Sequence, residues 1–238
     1  AKVYAAACVV CLEKFKTLYP EAEFKVQSSP IRIFADQEYI DKGFEVAEDM
    51  SDCDVLFGVK EVPLDQLIAN KTYFFFSHTI KKQPYNKKLL QKCLELNIRL
   101  IDHETLVDQN GVRLIGFGRY AGIVGACNAF RAFGIKFELF NISKAEQLKS
   151  KQDLIDRLNR PFMPAIKIVL TGTGKVGMGA KEVLDDMKVK KVSIEDFLTR
   201  EFDDPTYVQL DVHEYYKRID GKPSDKLDFI KNPQEYVS

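Results

Sequence analysis

Apolar residues recur along the first hundred positions in two alternating rhythms. Residues 9–18 carry them on one helical face, and Pro20 ends the run. Residues 23–27 alternate as a strand does, and residues 36–42 predict a short helix closed by Gly43. Two compact apolar runs, residues 54–59 (DVLFGV) and 72–77 (TYFFFS), predict buried strands. Residues 86–96 predict a helix with Leu89, Leu90, Cys93 and Leu94 on one face, followed by a strand over residues 97–101. Strands alternating with helices imply a parallel sheet covered on both faces.

The rhythm then changes. Residues 116–134 (GFGRYAGIVGACNAFRAFG) have helical periodicity but are rich in small residues, which predicts a long, closely packed, buried helix leaving the first domain. Residues 144–158 predict a polar helix, with Ser143 and Glu146 placed like a capping box. Pro161 and Pro164 break the chain, and residues 166–171 (IKIVLT) open a second α/β unit. The expected fold class is therefore α/β: two Rossmann-like domains with parallel sheets and a cleft between them, divided near residue 125. After Asp196 the pattern degrades. Residues 203–205 predict a turn, residues 207–216 one amphipathic element, and residues 221–238 a polar, irregular tail without strands. The second domain, residues 126–238, is expected to be incomplete.

Within that second unit, strand residues Ile168, Val169 and Leu170 run into Gly172-Thr173-Gly174-Lys175-Val176-Gly177, and a helical pattern follows over residues 180–187. Strand, G-x-G-x-x-G and helix in this order suit a dinucleotide. Gly172 permits the tight turn, Gly174 lets backbone amides approach a pyrophosphate, and Gly177 lets helix and strand close together. The alternative is a glycine-rich turn of some other α/β fold. The acid expected to hold the ribose hydroxyls about 20 residues on would be Glu195 or Asp196, after a strand over residues 190–194. Such an acid favours NAD over NADP. Ser193 as a helix N-cap, with both acids in the first turn, explains these residues equally well.

Lys60 and His78 each end an apolar strand run, and strand C-termini line the ligand crevice of α/β folds. A lysine and a histidine facing one pocket can exchange protons with a substrate. The alternatives are an exposed strand-end lysine and a structural histidine. Lys81, Lys82, Lys87 and Lys88 read as a solvated face or as a guide for anionic substrates.

Composition narrows the classes. Thirty-five basic residues balance 35 acidic ones, so no global field draws the chain to nucleic acid or a membrane. No apolar run approaches the ~18 residues of a membrane span. Five cysteines, Cys8, Cys11, Cys53, Cys93 and Cys127, lack metal spacing, so no metal is expected and a reducing cytoplasm suits them.

VLFGVKEVP, YFFFSHTIKKQ, NIRLIDHETL, GFGRYAGIVGA and the Gly172 loop, taken in this order over about residues 50–200, resemble the saccharopine dehydrogenase and lysine–oxoglutarate reductase family. That family is related to alanine dehydrogenase and to the nucleotide-binding part of transhydrogenase. The resemblance implies an NAD(P)-dependent oxidoreductase acting on the C–N bond of an amino acid, with an amino acid or 2-oxo acid as partner. It places Lys60 as the base that takes the proton from a secondary amine, and His78 as the group that activates water. It puts Glu61 and Glu104 beside the pair as tuning acids, though Glu104 also reads as a solvated loop acid. Arg119 would hold a substrate carboxylate or else form a structural ion pair. Two departures stand out. Residues 2–8 lack the family's arginine followed by Thr-Pro, and the resemblance implies further chain beyond one βαβ unit. The reading leaves open an alanine dehydrogenase-like enzyme, an incomplete nucleotide- or amino-acid-binding homologue, and a homo-oligomer.

Overall fold

The computed structural model describes residues 2–5 as backbone, and residues 9–159 and 162–238 in full. Cys8 and Pro161 lie outside the described residues. The chain divides into two compact units, Ala1–Gly116 and Phe117–Ser238. The division precedes the long glycine-rich helix, whereas residue 125 lies inside it.

The first unit runs β1 (Lys2–Ala5), α1 (Val9–Leu18), β2 (Glu23–Gln27), α2 (Asp36–Ile40), β3 (Glu45–Ala47), β4 (Val55–Lys60), β5 (Thr72–Phe76), α3 (Lys87–Glu95) and β6 (Arg99–Asp102). Its six strands form one sheet in the order β3-β2-β1-β4-β5-β6, and every pairing is parallel. The strand order reverses between β1 and β4, the kind of position where open α/β sheets bind ligands. β5 shows why both faces must be covered. Tyr73 and Phe75 pack with Leu56, Leu89 and Cys93 on one face, while Phe74 stacks on Phe57 at 4.2 Å on the other. A second cluster joins Val9 and Leu12 of α1 to Val26, Tyr39 and Phe44.

The second unit runs α4 (Gly118–Lys136), α5 (Lys151–Leu158), β7 (Lys167–Thr171), α6 (Lys175–Asp186), β8 (Lys190–Lys191), α7 (Ile194–Thr199), β9 (Thr206–Leu210), α8 (Val212–Tyr215), β10 (Lys217–Arg218), α9 (Lys226–Lys231) and β11 (Tyr236–Val237). A parallel sheet has the order β7-β9-β8, and β10 pairs with β11 antiparallel.

Four expectations change here. α4 is not buried all round: Ile123, Cys127, Phe130 and Gly134 form one buried stripe, while Tyr120 and Val124 are exposed. α5 starts at Lys151 and not at residue 144, capped by Ser150, because Leu148 is extended and buried and interrupts the run. Residues 207–216 split into β9 and α8. β9 buries Thr206, Tyr207 and Val208 in succession, so no alternation marked it. The tail is not irregular: Asp225 caps α9, and β11 pairs with β10.

Candidate active site

Lys60 is the last residue of β4, and His78 follows β5 by two residues. The strands are neighbours, so both side chains emerge at one edge of the sheet. Both line a pocket of about 550 Å³, together with Glu61, Tyr85 and Asn86. β4 carries a bulge just before Lys60: Phe57 pairs with Phe74 but Lys60 pairs with Phe76, so β4 holds one residue more than β5. A bulge re-aims the side chain that follows it. His103 sits against it, its Nε2 3.0 Å from the Gly58 carbonyl oxygen and its ring edge-on to Phe76 at 5.2 Å. That bond puts the proton on Nε2, which donates to Gly58, and leaves Nδ1 buried with no partner among the described residues.

His78 is held more firmly. Its backbone is left-handed, φ 56°, a conformation uncommon among non-glycine residues. The hydrogen bonds around it are local: buried Ser77 donates to Asp102 at 2.6 Å, Asp102 accepts from the Glu104 amide, and Asn86 donates to the His78 carbonyl. The imidazole Nδ1 lies 3.0 Å from Glu104 Oε2. Lys81 Nζ is also close to Nδ1 but has Glu104 Oε1 at 3.2 Å. With a carboxylate to receive both donors, Nδ1 carries a proton and donates to Glu104, leaving Nε2 free for the pocket.

Glu104 is not a solvated loop acid. Its side chain is only 4% exposed and is ringed by His78, Lys81 and Arg113. The His78 hydrogen bond, seconded by those of Lys81 and Arg113, lowers its pKa to about 2 against burial. Lys81 thus belongs to this cluster rather than to a solvated face. Sequence reasoning does not find it or Arg113 as partners, because nothing local ties Arg113, nine residues on, to Glu104. A folded-state pKa below the unfolded one means that the carboxylate stabilises the fold above pH 4.5, and that this contribution is lost as pH falls towards about 2. Glu104→Gln should therefore melt lower than the parent at neutral pH, and the two melting curves should converge across that acid range. A difference independent of pH would show that the ion cluster does not carry the effect.

In the second unit, Gly172 has φ +87°, and its amide donates to the Leu210 carbonyl at 2.7 Å as the chain leaves β7. Gly174 caps α6, and Lys175 and Val176 are the first residues of the helix, whose opening N–H groups have no intrahelical partner. A Cβ on Gly177 would stand 2.2 Å from the Gly172 oxygen, while one on Gly174 would meet nothing within 4 Å. Tight packing below and open space above are what a pyrophosphate approaching backbone amides requires, so the loop fits a dinucleotide. Gly174→Val should fill that space and abolish nucleotide binding in a fluorescence titration, at a folding cost of at most about 1 kcal/mol for the poorer cap. Unchanged affinity would remove the loop from the site.

Glu195 and Asp196 do not stand beside this loop. β9 lies between β7 and β8, which sets the end of β8 two strand spacings away, roughly 10 Å. Ser193 caps α7 by accepting from the Asp196 amide, and Asp196 pairs with Arg200 at 2.8 Å. Capping explains them. Arg119 shows a bidentate geometry, but towards Glu182 of α6, at 2.7 and 2.5 Å. Arg119, with Lys151, lowers the Glu182 pKa to about 2. Its guanidinium ties α4 to α6 and is committed there instead of to a substrate carboxylate.

The chain thus holds two α/β units, one a parallel sheet ordered outward from β1 with titratable groups at its carboxyl edge, the other a strand–glycine loop–helix unit. Residues 17–124 match the family model described as alanine dehydrogenase/PNT, N-terminal domain. It is 30% identical to the mitochondrial alpha-aminoadipic semialdehyde synthase of Bos taurus, over 90% of this chain and 25% of that one. It is 27% identical to saccharopine dehydrogenase [NAD(+), L-lysine-forming] of Yarrowia lipolytica, over 72% of this chain and 51% of that one. The chain thus spans about a quarter and half of these relatives. The solved structure of an L-alanine dehydrogenase superposes with a TM-score of 0.51 at 14% identity, covering 88% of this chain and 61% of that one, and shares the fold. Among the described residues no helix is long and apolar enough to cross a membrane.

Proposed function

We propose that the protein is an NAD(P)-dependent oxidoreductase acting on the C–N bond of an amino acid, of the lysine-forming saccharopine dehydrogenase or lysine–oxoglutarate reductase type. The observation that carries this reading is the placement of Lys60 and His78 on one pocket, with His78 oriented by Glu104, in a chain that also holds the Gly172 loop. A nicotinamide dinucleotide held at the Gly172–Gly177 loop would supply the hydride acceptor. Lys60 takes the proton from the substrate's secondary amine as the C=N bond forms. His78 Nε2 then takes a proton from the water that adds to the imine carbon, and Glu104 stabilises the imidazolium that results. Lys60 returns its proton to the nitrogen as water adds; the His78 imidazolium then protonates that nitrogen, Lys60 takes the hydroxyl proton, and the C–N bond breaks to release an amine and an oxo acid. Glu61 lines the same pocket and lends it negative charge. Buried thiols such as Cys93 and Cys127 suit a reducing compartment, the cytoplasm among them.

The match over residues 17–124 favours a second reading, an alanine dehydrogenase-like enzyme. Reduced-nicotinamide oxidation by the protein separates the two. Turnover with 2-oxoglutarate plus lysine supports the first reading, and turnover with pyruvate plus ammonia supports the second. Nucleotide binding without turnover on any pair would mark a binding homologue and sink both.

A further inference from the structure

We propose that Asp211 is the residue that reads the adenosine ribose, and that it makes this protein select NAD over NADP. The assignment rests on the dinucleotide reading of the Gly172 loop and adds to it the discriminating residue.

The argument starts from strand order. In a dinucleotide fold the acid that accepts the ribose hydroxyls ends the strand beside the one that carries the glycine loop. Here that neighbour is β9, which pairs with β7 residue for residue from Lys167↔Thr206 to Thr171↔Leu210. The pairing continues past the strands: the Gly172 amide donates to the Leu210 carbonyl, and the Gln209 side chain donates to the Gly172 carbonyl at 3.0 Å. Asp211 is the next residue. Its side chain touches the loop itself, because Thr173 Oγ1 donates to Asp211 Oδ2 at 2.9 Å. The carboxylate is therefore fixed against the turn where the pyrophosphate is expected, at hydrogen-bond range and not by analogy of spacing.

The chemistry of the group suits a vicinal diol. An ionised carboxylate offers about four acceptor positions. The Val212 amide takes one at 2.8 Å, and Thr173 and Lys226, the latter at 3.4 Å, take two more. The Val212 contact is a cap that a ligand need not disturb. Lys226 is loosely held and 45% exposed, and the Asp211 side chain is 25% exposed. Two ribose hydroxyls can displace the Thr173 and Lys226 donors, each giving a hydrogen bond to a charged acceptor. A 2′-phosphate brought to the same place would set two anions together and replace one of the two hydroxyl donors with an acceptor. Lys226 does not reverse this preference while Asp211 neutralises it.

Titration of the protein with NADH and NADPH, followed by nicotinamide fluorescence, tests the assignment without any turnover. The parent should bind NADH at least tenfold more tightly than NADPH. Asp211→Asn keeps a side chain able to cap α8, so circular dichroism should show the fold retained. That variant should lose roughly tenfold or more in NADH affinity, the worth of a charged hydrogen bond. NADPH should bind it more tightly, since Lys226 is then free to meet the phosphate. Lys226→Met added to Asp211→Asn should abolish that gain in NADPH binding. Equal affinities in the parent, or a preference unchanged in Asp211→Asn, would overturn the assignment while leaving the loop as a nucleotide site. If the parent binds neither nucleotide, the dinucleotide reading falls and this inference falls with it.

Discussion

Lys60→Met should lower kcat by roughly 10²–10⁴ with little change in stability, the loss typical of removing a positioned proton acceptor. Lys60 is exposed at the end of β4, and methionine matches its length, so the fold loses no buried contact. Surface changes of that kind stay within about 0.5 kcal/mol. Among the described residues, no carboxylate lies within ion-pair distance of its ammonium, so no partner is left unpaired either. His78→Gln should slow the later step, addition of water to the imine, while also releasing Glu104 towards Lys81 and Arg113. The double variant should then be little worse than the worse single one, because the two groups serve one reaction. A kcat within threefold of the parent in Lys60→Met, with nucleotide affinity unchanged, would exclude Lys60 from the chemistry.

Gly179→Ala should destabilise the second unit by about 2–4 kcal/mol, the upper range for overpacking. A methyl there would stand 2.0 Å from the Arg119 carbonyl oxygen and 2.8 Å from its carbon. Across the same contact, a methyl on Gly122 would stand 2.0 Å from the Val176 carbonyl oxygen and 2.7 Å from the Ala180 amide. Backbone meets backbone on both sides, so neither helix can yield by a rotamer change and α4 must move off α6. The Arg119–Glu182 ion pair, which spans the same helices, would be pulled with it. Gly125 is the internal control, since it lies in α4 and a methyl added to it would meet nothing within 4 Å. Gly125→Ala should be neutral or stabilising by up to about 1 kcal/mol through helix propensity alone. Thermal melts of the three alanine variants decide the point. Equal effects at Gly125 and Gly179 would show that the glycines are not there for close approach.

Much of the fold is written in local pattern. α1 ends and β2 begins where periodicity places them, because Pro20 and the polar turn before Glu23 stop the helix and restart the chain as a strand. The Gly172 turn is equally plain, since a strand, a required positive φ and a helix start are each local properties of the chain. Lys60 and His78 stand out because strand ends are visible in sequence, and parallel pairing then puts neighbouring ends together.

What stays hidden depends on distant residues meeting. β1 is four residues long, yet it is the strand from which the first sheet grows in both directions, a rank that only its partners β2 and β4 confer. Glu104 reads as a solvated acid until folding delivers Arg113 and Lys81 to it. Arg119 offers a fork for a carboxylate, but only packing decides that the carboxylate is Glu182. Counting about 20 residues from the glycine loop leads to Glu195 and Asp196, because distance along a chain cannot report that a later strand inserts between two earlier ones. β9 does so, and it carries no alternation to announce itself because its residues 206–208 are buried in succession. Local sequence sets each element and its caps. The order of strands in the sheet, and with it which acid meets the loop, is settled by the burial of side chains from the whole unit at once.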